Sequence, residues 1–233
     1  MSDLSKLKQD VYQANMDLAA SGLVLLTWGN VSAYDEVSGY VVIKPSGVSY
    51  DTMKPDDMVV VDLDGNKIEG EMNPSSDTPT HLEIYKAFDG VKAVVHTHSK
   101  WATSFAQARQ DIPCLGTTHA DNFYGNIPCT RSMTQQEIET DYEKETGNVI
   151  VETFSKRKIK PLEISAVIVA NHGPFSWGTS LGKAIENALV MEYVAEMAFN
   201  ALHISTNTDM PQTLLDKHFL RKHGKNAYYG QDK

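Results

Sequence analysis

Three histidines and an aspartate are the side chains in this chain best suited to do chemistry. His96 and His98 end an apolar run in Val94-Val95-His96-Thr97-His98, His172 closes a second apolar run, and Asp77 lies in a turn. Because successive side chains of a strand alternate between its faces, His96 and His98 are expected to point the same way and to chelate one ion. Imidazoles with a carboxylate suit a borderline divalent metal. Zinc is the first expectation, with manganese and cobalt as alternatives.

A purely structural role for these residues becomes less favoured as more candidate ligands are found. A single histidine at a strand end is more often structural than a metal ligand, and the His-x-His pair alone leaves the two interpretations even. The third histidine, His172, ends another apolar run, and Asp77 stands next to a predicted helix start. Together they favour a metal site.

Three polar turns are candidates for binding an anion. Ser75-Ser76-Asp77 precedes a predicted helix, whose free N–H groups and positive dipole end attract phosphate. Lys44-Pro45-Ser46-Gly47 offers a cation, a hydroxyl and a small residue, and Thr27-Trp28-Gly29-Asn30 adds a glycine and an amide. Each turn alone is weak evidence for anion binding. Asn30, for example, can simply bond backbone groups. The set would explain how an acidic chain holds a dianion.

Candidate acid–base groups lie further along the chain. Thr117-Thr118-His119-Ala120-Asp121 packs polar groups between two prolines, and an ordinary surface loop is the alternative interpretation. Tyr228-Tyr229 lies near the C-terminus, where aromatic residues dock a tail to the body or to a partner subunit. Such docking can also carry a phenol into a neighbour's site.

Length and composition restrict the class of protein. A chain of 233 residues fits one large α/β domain, and a net charge of −9 argues against nucleic-acid binding as its main task. The N-terminus has no apolar stretch typical of a signal peptide, and no apolar run is long enough to span a bilayer. Cys114 and Cys129 form no CxxC motif, which fits a reducing cytoplasm.

Hydrophobic periodicity and turn signals predict mixed helices and strands without a second core. Strands are expected at residues 23–27, 40–44, 58–61, 91–98 and 164–170, with a hairpin turn at 64–66. Helices are expected from residue 4 to a stop at Gly22, from an N-cap at Thr78 through residue 88, and at 101–108, 134–158, 181–202 and 211–223. Thr134 and Glu137 should form a capping box. The apolar residues of the long 181–202 helix are Leu181, Ile185, Leu189, Tyr193 and Met197.

The motifs taken together resemble the L-ribulose-5-phosphate 4-epimerases of the class II aldolase superfamily, over nearly the whole chain. The set is specific, although His-x-His alone is not. The stretches that carry the resemblance are Leu26-Thr27-Trp28-Gly29-Asn30-Val31-Ser32, Ile43-Lys44-Pro45-Ser46-Gly47-Val48, Pro74-Ser75-Ser76-Asp77-Thr78-Pro79-Thr80-His81, His96-Thr97-His98-Ser99, Gly116-Thr117-Thr118-His119-Ala120-Asp121, Asn171-His172-Gly173-Pro174-Phe175-Ser176-Trp177-Gly178 and Leu214-Leu215-Asp216-Lys217-His218.

The resemblance implies a single α/β domain over residues 1–233, with a central, largely antiparallel sheet flanked by helices. It implies a C4 homotetramer with active sites between subunits, the tail at about 210–233 reaching a neighbour. The metal, normally zinc, would be held by Asp77, His96, His98 and His172. The substrate contacts would be Gly29, Asn30, Lys44, Ser46, Gly47, Ser75, Ser76 and Asp77. Asp121 and Tyr229 would be the catalytic acid–base pair, with Tyr229 from the adjacent subunit and His218 assisting.

The implied reaction interconverts L-ribulose 5-phosphate and D-xylulose 5-phosphate. It would proceed by metal-assisted retro-aldol cleavage and re-addition, through glycolaldehyde phosphate and a dihydroxyacetone enediolate. The related fuculose-phosphate aldolases have a glutamate in place of Asp77, which favours the epimerase. An aldolase for another sugar phosphate is the main alternative. A metal hydrolase and a non-enzymatic metal or sugar-phosphate binding protein are weaker ones. The sequence leaves arabinose and ascorbate breakdown both open as the pathway.

Overall fold

A seven-stranded sheet, paired antiparallel throughout, forms the centre of the molecule. The computed structural model describes residues 4–230, so the last three residues of the expected tail lie outside the described residues. The strands are β1 (Asn30–Asp35), β2 (Tyr40–Ile43), β3 (Val59–Asp62), β4 (Lys67–Glu69), β5 (Ala93–His96), β6 (Ala166–Ile168) and β7 (Pro174–Gly178). The helices are α1 (Leu4–Ala20), α2 (Thr78–Ala87), α3 (Lys100–Ala108), α4 (Thr117–Ala120), α5 (Gln135–Glu139), α6 (Tyr142–Arg157), α7 (Leu181–Ile204) and α8 (Gln212–His223).

The strand order β4-β3-β2-β1-β5-β7-β6 places β5 near the middle of the sheet. In the ladder, His96 pairs with Asn30 of β1 on one side and with Phe175 of β7 on the other. The ring of His96 stacks on the ring of Phe175, with the centroids 4.1 Å apart. A candidate metal ligand is therefore fixed in the most constrained part of the sheet.

Helices cover both faces of the sheet, because neighbouring strand residues alternate between them. Val94 of β5 packs with α2 and α6 on one face. Val95, the next residue, packs with α1 and α7 on the other. These layers confirm the predicted α/β class and the antiparallel sheet.

Residues 23–27 do not form the predicted strand. Leu25 and Leu26 are 62% and 72% exposed, and Leu26 has a φ of 56°, in the left-handed region. A short apolar run is not enough to make a strand when no neighbouring strand is available to pair with it. Conversely, the sequence did not predict β1 and β7. Both form because they pair with β5, despite their asparagine, serine, proline and glycine residues.

Two helix boundaries differ from the prediction. Thr78 is the first helical residue and not the N-cap, because its hydroxyl donates to the carbonyl of Ser75 (2.6 Å) and Asp77 takes the N-cap position. The predicted 134–158 helix begins with the expected Thr134–Glu137 capping box, but breaks near Thr140 into α5 and α6. Helix α3 agrees closely with the prediction.

Helix α7 buries a different face from the predicted apolar one. Leu189, Tyr193 and Met197 are 39%, 60% and 45% exposed. Small residues such as Ala184 and Ala188 face the sheet instead, because α7 lies so close that a Cβ on Gly178 would come within 2.7 Å of the Ala184 nitrogen. Among the described helices, none combines the length and apolar character needed to cross a membrane.

Candidate active site

A cleft of about 420 Å³ opens where β1 begins and where β2 and β5 end. Every residue predicted to hold the metal or to contact the substrate lines it: Gly29, Asn30, Lys44, Ser46, Gly47, Ser75, Ser76, Asp77, His96, His98 and His172. Three turns that are far apart in the sequence and two histidine segments therefore converge on one space.

The three histidines are arranged to share one ion. The Nε2 atoms of His96 and His98 are 3.0 Å apart, and a ligand nitrogen from each of the three rings lies within 4.8 Å of the other two. His98 does not belong to β5, which ends at His96. It is the loop leading into α3, and not strand alternation, that turns His98 toward its partner. His172 follows Asn171, whose φ of 60° turns the chain after β6.

The surroundings of His96 leave its Nε2 free for a metal. Its Nδ1 lies 3.0 Å from the carbonyl of Pro174, which can only accept, so the ring proton sits on Nδ1 and the lone pair on Nε2. Burial lowers the pKa of His96, and burial and the neighbouring imidazoles lower the pKa values of His98 and His172. At neutral pH all three rings are therefore neutral and able to coordinate.

Asp77 supplies negative charge beside these rings. Its Oδ2 lies 4.0 Å from Nε2 of His96 and accepts a hydrogen bond of 2.7 Å from the Asn30 amide. Burial alone would raise the pKa of Asp77, but the attraction of His96 and His81 and the Asn30 hydrogen bond together lower it. Three neutral imidazoles and one carboxylate are a donor set that fits a divalent metal.

The turns on the other side of the cleft are held together by backbone hydrogen bonds. The Ser75 nitrogen donates to the Lys44 carbonyl, and the Ser46 nitrogen donates to the Asn73 carbonyl, each at 3.0 Å. Gly29 has a φ of 81°, and a Cβ there would lie 2.7 Å from Val24 and 2.9 Å from the His96 carbonyl. The turns around Lys44 and Ser75 are therefore bonded to each other, and the Gly29 turn lies directly against the strand that carries His96, a candidate metal ligand.

Lys44 is a buried cation in this cleft, with a side chain only 2% exposed. Its Nζ donates to the carbonyls of Val48 (2.8 Å) and Pro45 (3.3 Å) and lies 4.9 Å from the centre of the Tyr50 ring. Burial lowers its pKa to about 8. Lys44 is therefore mostly protonated at neutral pH and can pair with an anion.

The Asn30 Oδ1 is buried without a hydrogen-bond partner in residues 4–230, as suits a ligand contact.

Two cleft residues were missed by the sequence reasoning. Tyr142 and Glu143 line the cleft from the start of α6, and the Tyr142 hydroxyl lies 3.4 Å from Nδ1 of His172. The prediction of a mostly continuous helix over residues 134–158 gives no reason to place them at a helix start. The acidic residues Glu143 and Glu145 are the signal for a second helix start.

Asp121 and Tyr229 are not among the residues lining the cleft. Asp121 instead accepts hydrogen bonds from His218 and Arg221 of α8, at 2.9 Å each, and pairs with Lys222 at 3.4 Å. The ring of Tyr229 lies over Arg221 and Lys222 and is 61% exposed. Burial would raise the pKa of Asp121, but the bonds from His218 and Arg221 lower it. We call these five residues the α8 cluster.

The fold and the cleft are those of the class II aldolase family. The chain matches the model of the class II aldolase and adducin N-terminal domain over residues 9–199, and it belongs to that family.

Particular relatives are close. The chain is 55% identical over 229 residues to L-ribulose-5-phosphate 4-epimerase UlaF of Salmonella paratyphi A, covering 98% of this chain and 100% of the relative, and equally similar to that of Salmonella typhi. A solved L-fuculose 1-phosphate aldolase superposes with a TM-score of 0.78 at 26% identity, covering 94% of this chain and 95% of that one. The L-fuculose 1-phosphate aldolase from Glaciozyma antarctica PI12 has a TM-score of 0.75 at 19% identity, covering 92% and 80%, and shows the fold alone.

Proposed function

We propose that this protein is an L-ribulose-5-phosphate 4-epimerase, a cytoplasmic isomerase that interconverts L-ribulose 5-phosphate and D-xylulose 5-phosphate. The observation that carries the proposal is the single cleft in which the three histidines and Asp77 face the turns around buried Lys44. The 55% identity to proteins named for this activity supports the same choice. The free cysteines of this chain, Cys114 and Cys129, fit the reducing cytoplasm that we propose as its location.

The metal half of the site consists of Asp77, His96, His98 and His172. A divalent ion held there, zinc in our proposal, would act as a Lewis acid toward negative charge that develops on the substrate oxygens. The chain's own contribution is to keep the imidazoles neutral by burial and to fix the His96 tautomer through Pro174.

Carbon–carbon cleavage fits the substrate better than direct deprotonation. The C4 hydrogen is not acidic, because C4 is not adjacent to the C2 carbonyl. A base instead removes the C4 hydroxyl proton, the C3–C4 bond breaks, and its electron pair stays with the three-carbon dihydroxyacetone enediolate. The other fragment is glycolaldehyde phosphate. Its aldehyde turns, the enediolate adds to the opposite face, and an acid returns the proton to the C4 oxygen.

The phosphate turns determine whether cleavage ends in epimerisation. Ser46, Gly47, Ser75 and Ser76, with Lys44 beside them, would bind the phosphate of the aldehyde fragment. A tightly held fragment re-adds before it escapes, so the net reaction is epimerisation and not aldol cleavage.

The acid–base half of the site comes from a neighbouring copy in our proposal. Asp121, His218 and Tyr229 belong to the α8 cluster, outside the cleft of their own chain, and Tyr229 is exposed. Because Asp121 and Tyr229 both lie against Arg221, one neighbour would contribute both residues and not Tyr229 alone. A C4 homotetramer with the tail from about residue 210 reaching across provides such a site in every subunit. The exposed apolar face of α7 at Tyr193 and Met197 is consistent with a subunit contact.

A class II aldolase for another sugar phosphate is the second candidate, favoured by the superposition on L-fuculose 1-phosphate aldolase. Incubation with L-ribulose 5-phosphate separates the two. An epimerase forms D-xylulose 5-phosphate without free dihydroxyacetone. If dihydroxyacetone accumulates as fast as the pentose phosphate, or if neither product forms while another ketose phosphate is cleaved, the aldolase is correct.

A further inference from the structure

Glu192 of α7 holds the start of α3, although the two helices are far apart in sequence. Its two carboxylate oxygens accept hydrogen bonds from the backbone nitrogens of Trp101 (2.8 Å) and Ala102 (2.9 Å). These N–H groups belong to the first turn of α3, where no intrahelical acceptor exists. Ser99, the N-cap residue of α3, makes no capping bond with its side chain. The start of α3 is therefore capped by another helix.

The segment that Glu192 holds directly follows His98. Lys100, the first residue of α3, comes two positions later, and Ser99 between them is tied into the helix by the bond from the Thr103 nitrogen to its carbonyl (3.0 Å). The direction in which His98 leaves the backbone thus depends on where α3 begins.

His98 is also the least supported of the three histidines. His96 is buried within β5 and bonded to Pro174, and Tyr142 lies beside His172. His98 is exposed, and the aromatic rings beside its own are those of the other two histidines and of Trp28, the last at 5.9 Å. Its position is therefore set mainly by its backbone.

We infer that Glu192 is a positioning residue for metal binding. By clamping α3 to α7, it places His98 at the distance from His96 and His172 that one ion requires. Helix α7 is a firm support for this purpose, since Met191 and Ala195 beside Glu192 are buried. The inference rests on the proposed metal site. Groups that orient metal ligands commonly change metal affinity by about 10- to 100-fold.

The test compares Glu192→Gln with Glu196→Gln, which removes the same charge one turn further along α7. Zinc affinity is measured by competition with a chelating dye, and the visible absorption spectrum is recorded for each protein saturated with cobalt. We expect Glu192→Gln to weaken zinc binding by about 10-fold or more and to shift the cobalt bands. Glu196→Gln should match the parent in both.

A merely structural role for Glu192 has a different signature. In that case Glu192→Gln lowers the melting temperature of the metal-free protein but leaves zinc affinity and the cobalt spectrum unchanged. That result overturns the inference. If Glu192→Gln does not fold, Glu192→Asp, which keeps the charge on a shorter side chain, is measured in the same way and against the same criterion. A parent protein that binds neither metal contradicts the proposed metal site itself, so the two failures are distinct.

Discussion

At the scale of single residues, the site depends on polar groups that folding removes from water. Lys44 is the clearest case, because its cation is buried against two carbonyls and an aromatic ring. Desolvation disfavours its charged form, which is why its pKa falls to about 8. A bound phosphate would supply the missing opposite charge, so the residue is suited to a liganded state.

This lowered pKa predicts a pH dependence of substrate binding. Lys44 is protonated below pH 8 and loses its charge as the pH rises through that value. The KM for L-ribulose 5-phosphate should therefore rise between pH about 7 and about 9, in the range where an ordinary lysine stays charged. Steady-state kinetics of the parent and of Lys44→Arg check this, since arginine keeps its charge and should flatten the profile. The same rise in both proteins would remove Lys44 from the explanation.

Tyr229 allows a second test at this scale. Tyr229→Phe deletes one hydroxyl from an exposed ring and should lower kcat by about 10²- to 10⁴-fold, the usual contribution of a general acid or base. Metal content and melting temperature should not change. Tyr228→Phe is the matched control, since Tyr228 is the adjacent tyrosine and is similarly exposed at 64%. Equal activity of the two variants would contradict a catalytic role for Tyr229.

At the scale of elements, the sequence predicted the helices and caps that local patterns encode. It missed the strands whose formation depends on pairing within the sheet. Helix α3 and the Thr134 capping box follow from local signals and were correct. The run at residues 23–27 was wrongly predicted to be a strand, and strands β1 and β7 were missed, because the state of each segment depends on which strand lies beside it. The sheet-facing surface of α7 was missed because close packing selects small residues over large apolar ones.

The candidate site was easier to anticipate than the sheet. Three glycine- or serine-containing turns and three histidines were visible as chemical groups, and the fold brings them into one cleft. Tyr142 was not predicted, because the signal for a helix start at Glu143 and Glu145 does not by itself require a break in the preceding helix. The placement of Asp121 beside α8 was not visible either, since it depends on contacts about 100 residues apart in sequence.

The turn carrying Gly29 provides a prediction for this scale. Gly29 and Gly22 both have left-handed φ angles, 81° and 78°, but only at Gly29 does an added Cβ meet other atoms within 4 Å. Gly22→Ala should lower the free energy of unfolding by about 1–2 kcal/mol through backbone strain alone. Gly29→Ala should lower it further and also reduce metal content, because the clash involves the His96 carbonyl. Chemical denaturation and metal analysis of both variants measure the difference. Equal destabilisation with normal metal content would mean that the close approach has no role.

At the scale of the whole molecule, our proposal divides the active site into two halves that lie apart on a single chain. The cleft holds the candidate metal ligands and phosphate turns, while the α8 cluster holds Asp121 and Tyr229 elsewhere on the same chain. Assembly into a ring would bring each cleft to a neighbour's α8 cluster. In our proposal the active unit is thus the interface and not the subunit.

Mixed oligomers test this division. Subunits with Asp77→Asn lack the metal half, and subunits with Asp121→Asn lack the acid–base half. Equal random mixing should restore about a quarter of the parent activity, since each site takes one half from each of two neighbours. Mixing Tyr229→Phe with Asp121→Asn should restore nothing, because both changes damage the same half. Recovery in the second mixture would instead place Asp121 and Tyr229 on different subunits of one site.

The most direct test of the account is the formation of D-xylulose 5-phosphate from L-ribulose 5-phosphate by the purified protein. It is followed in a coupled assay before chelation, after chelation and after zinc is added back, with Asp77→Asn treated in parallel. We expect conversion by the parent, its loss on chelation, its return with zinc, and little conversion by the variant at any stage. Full activity in the metal-free parent, or no conversion by the folded, zinc-loaded protein, would contradict it.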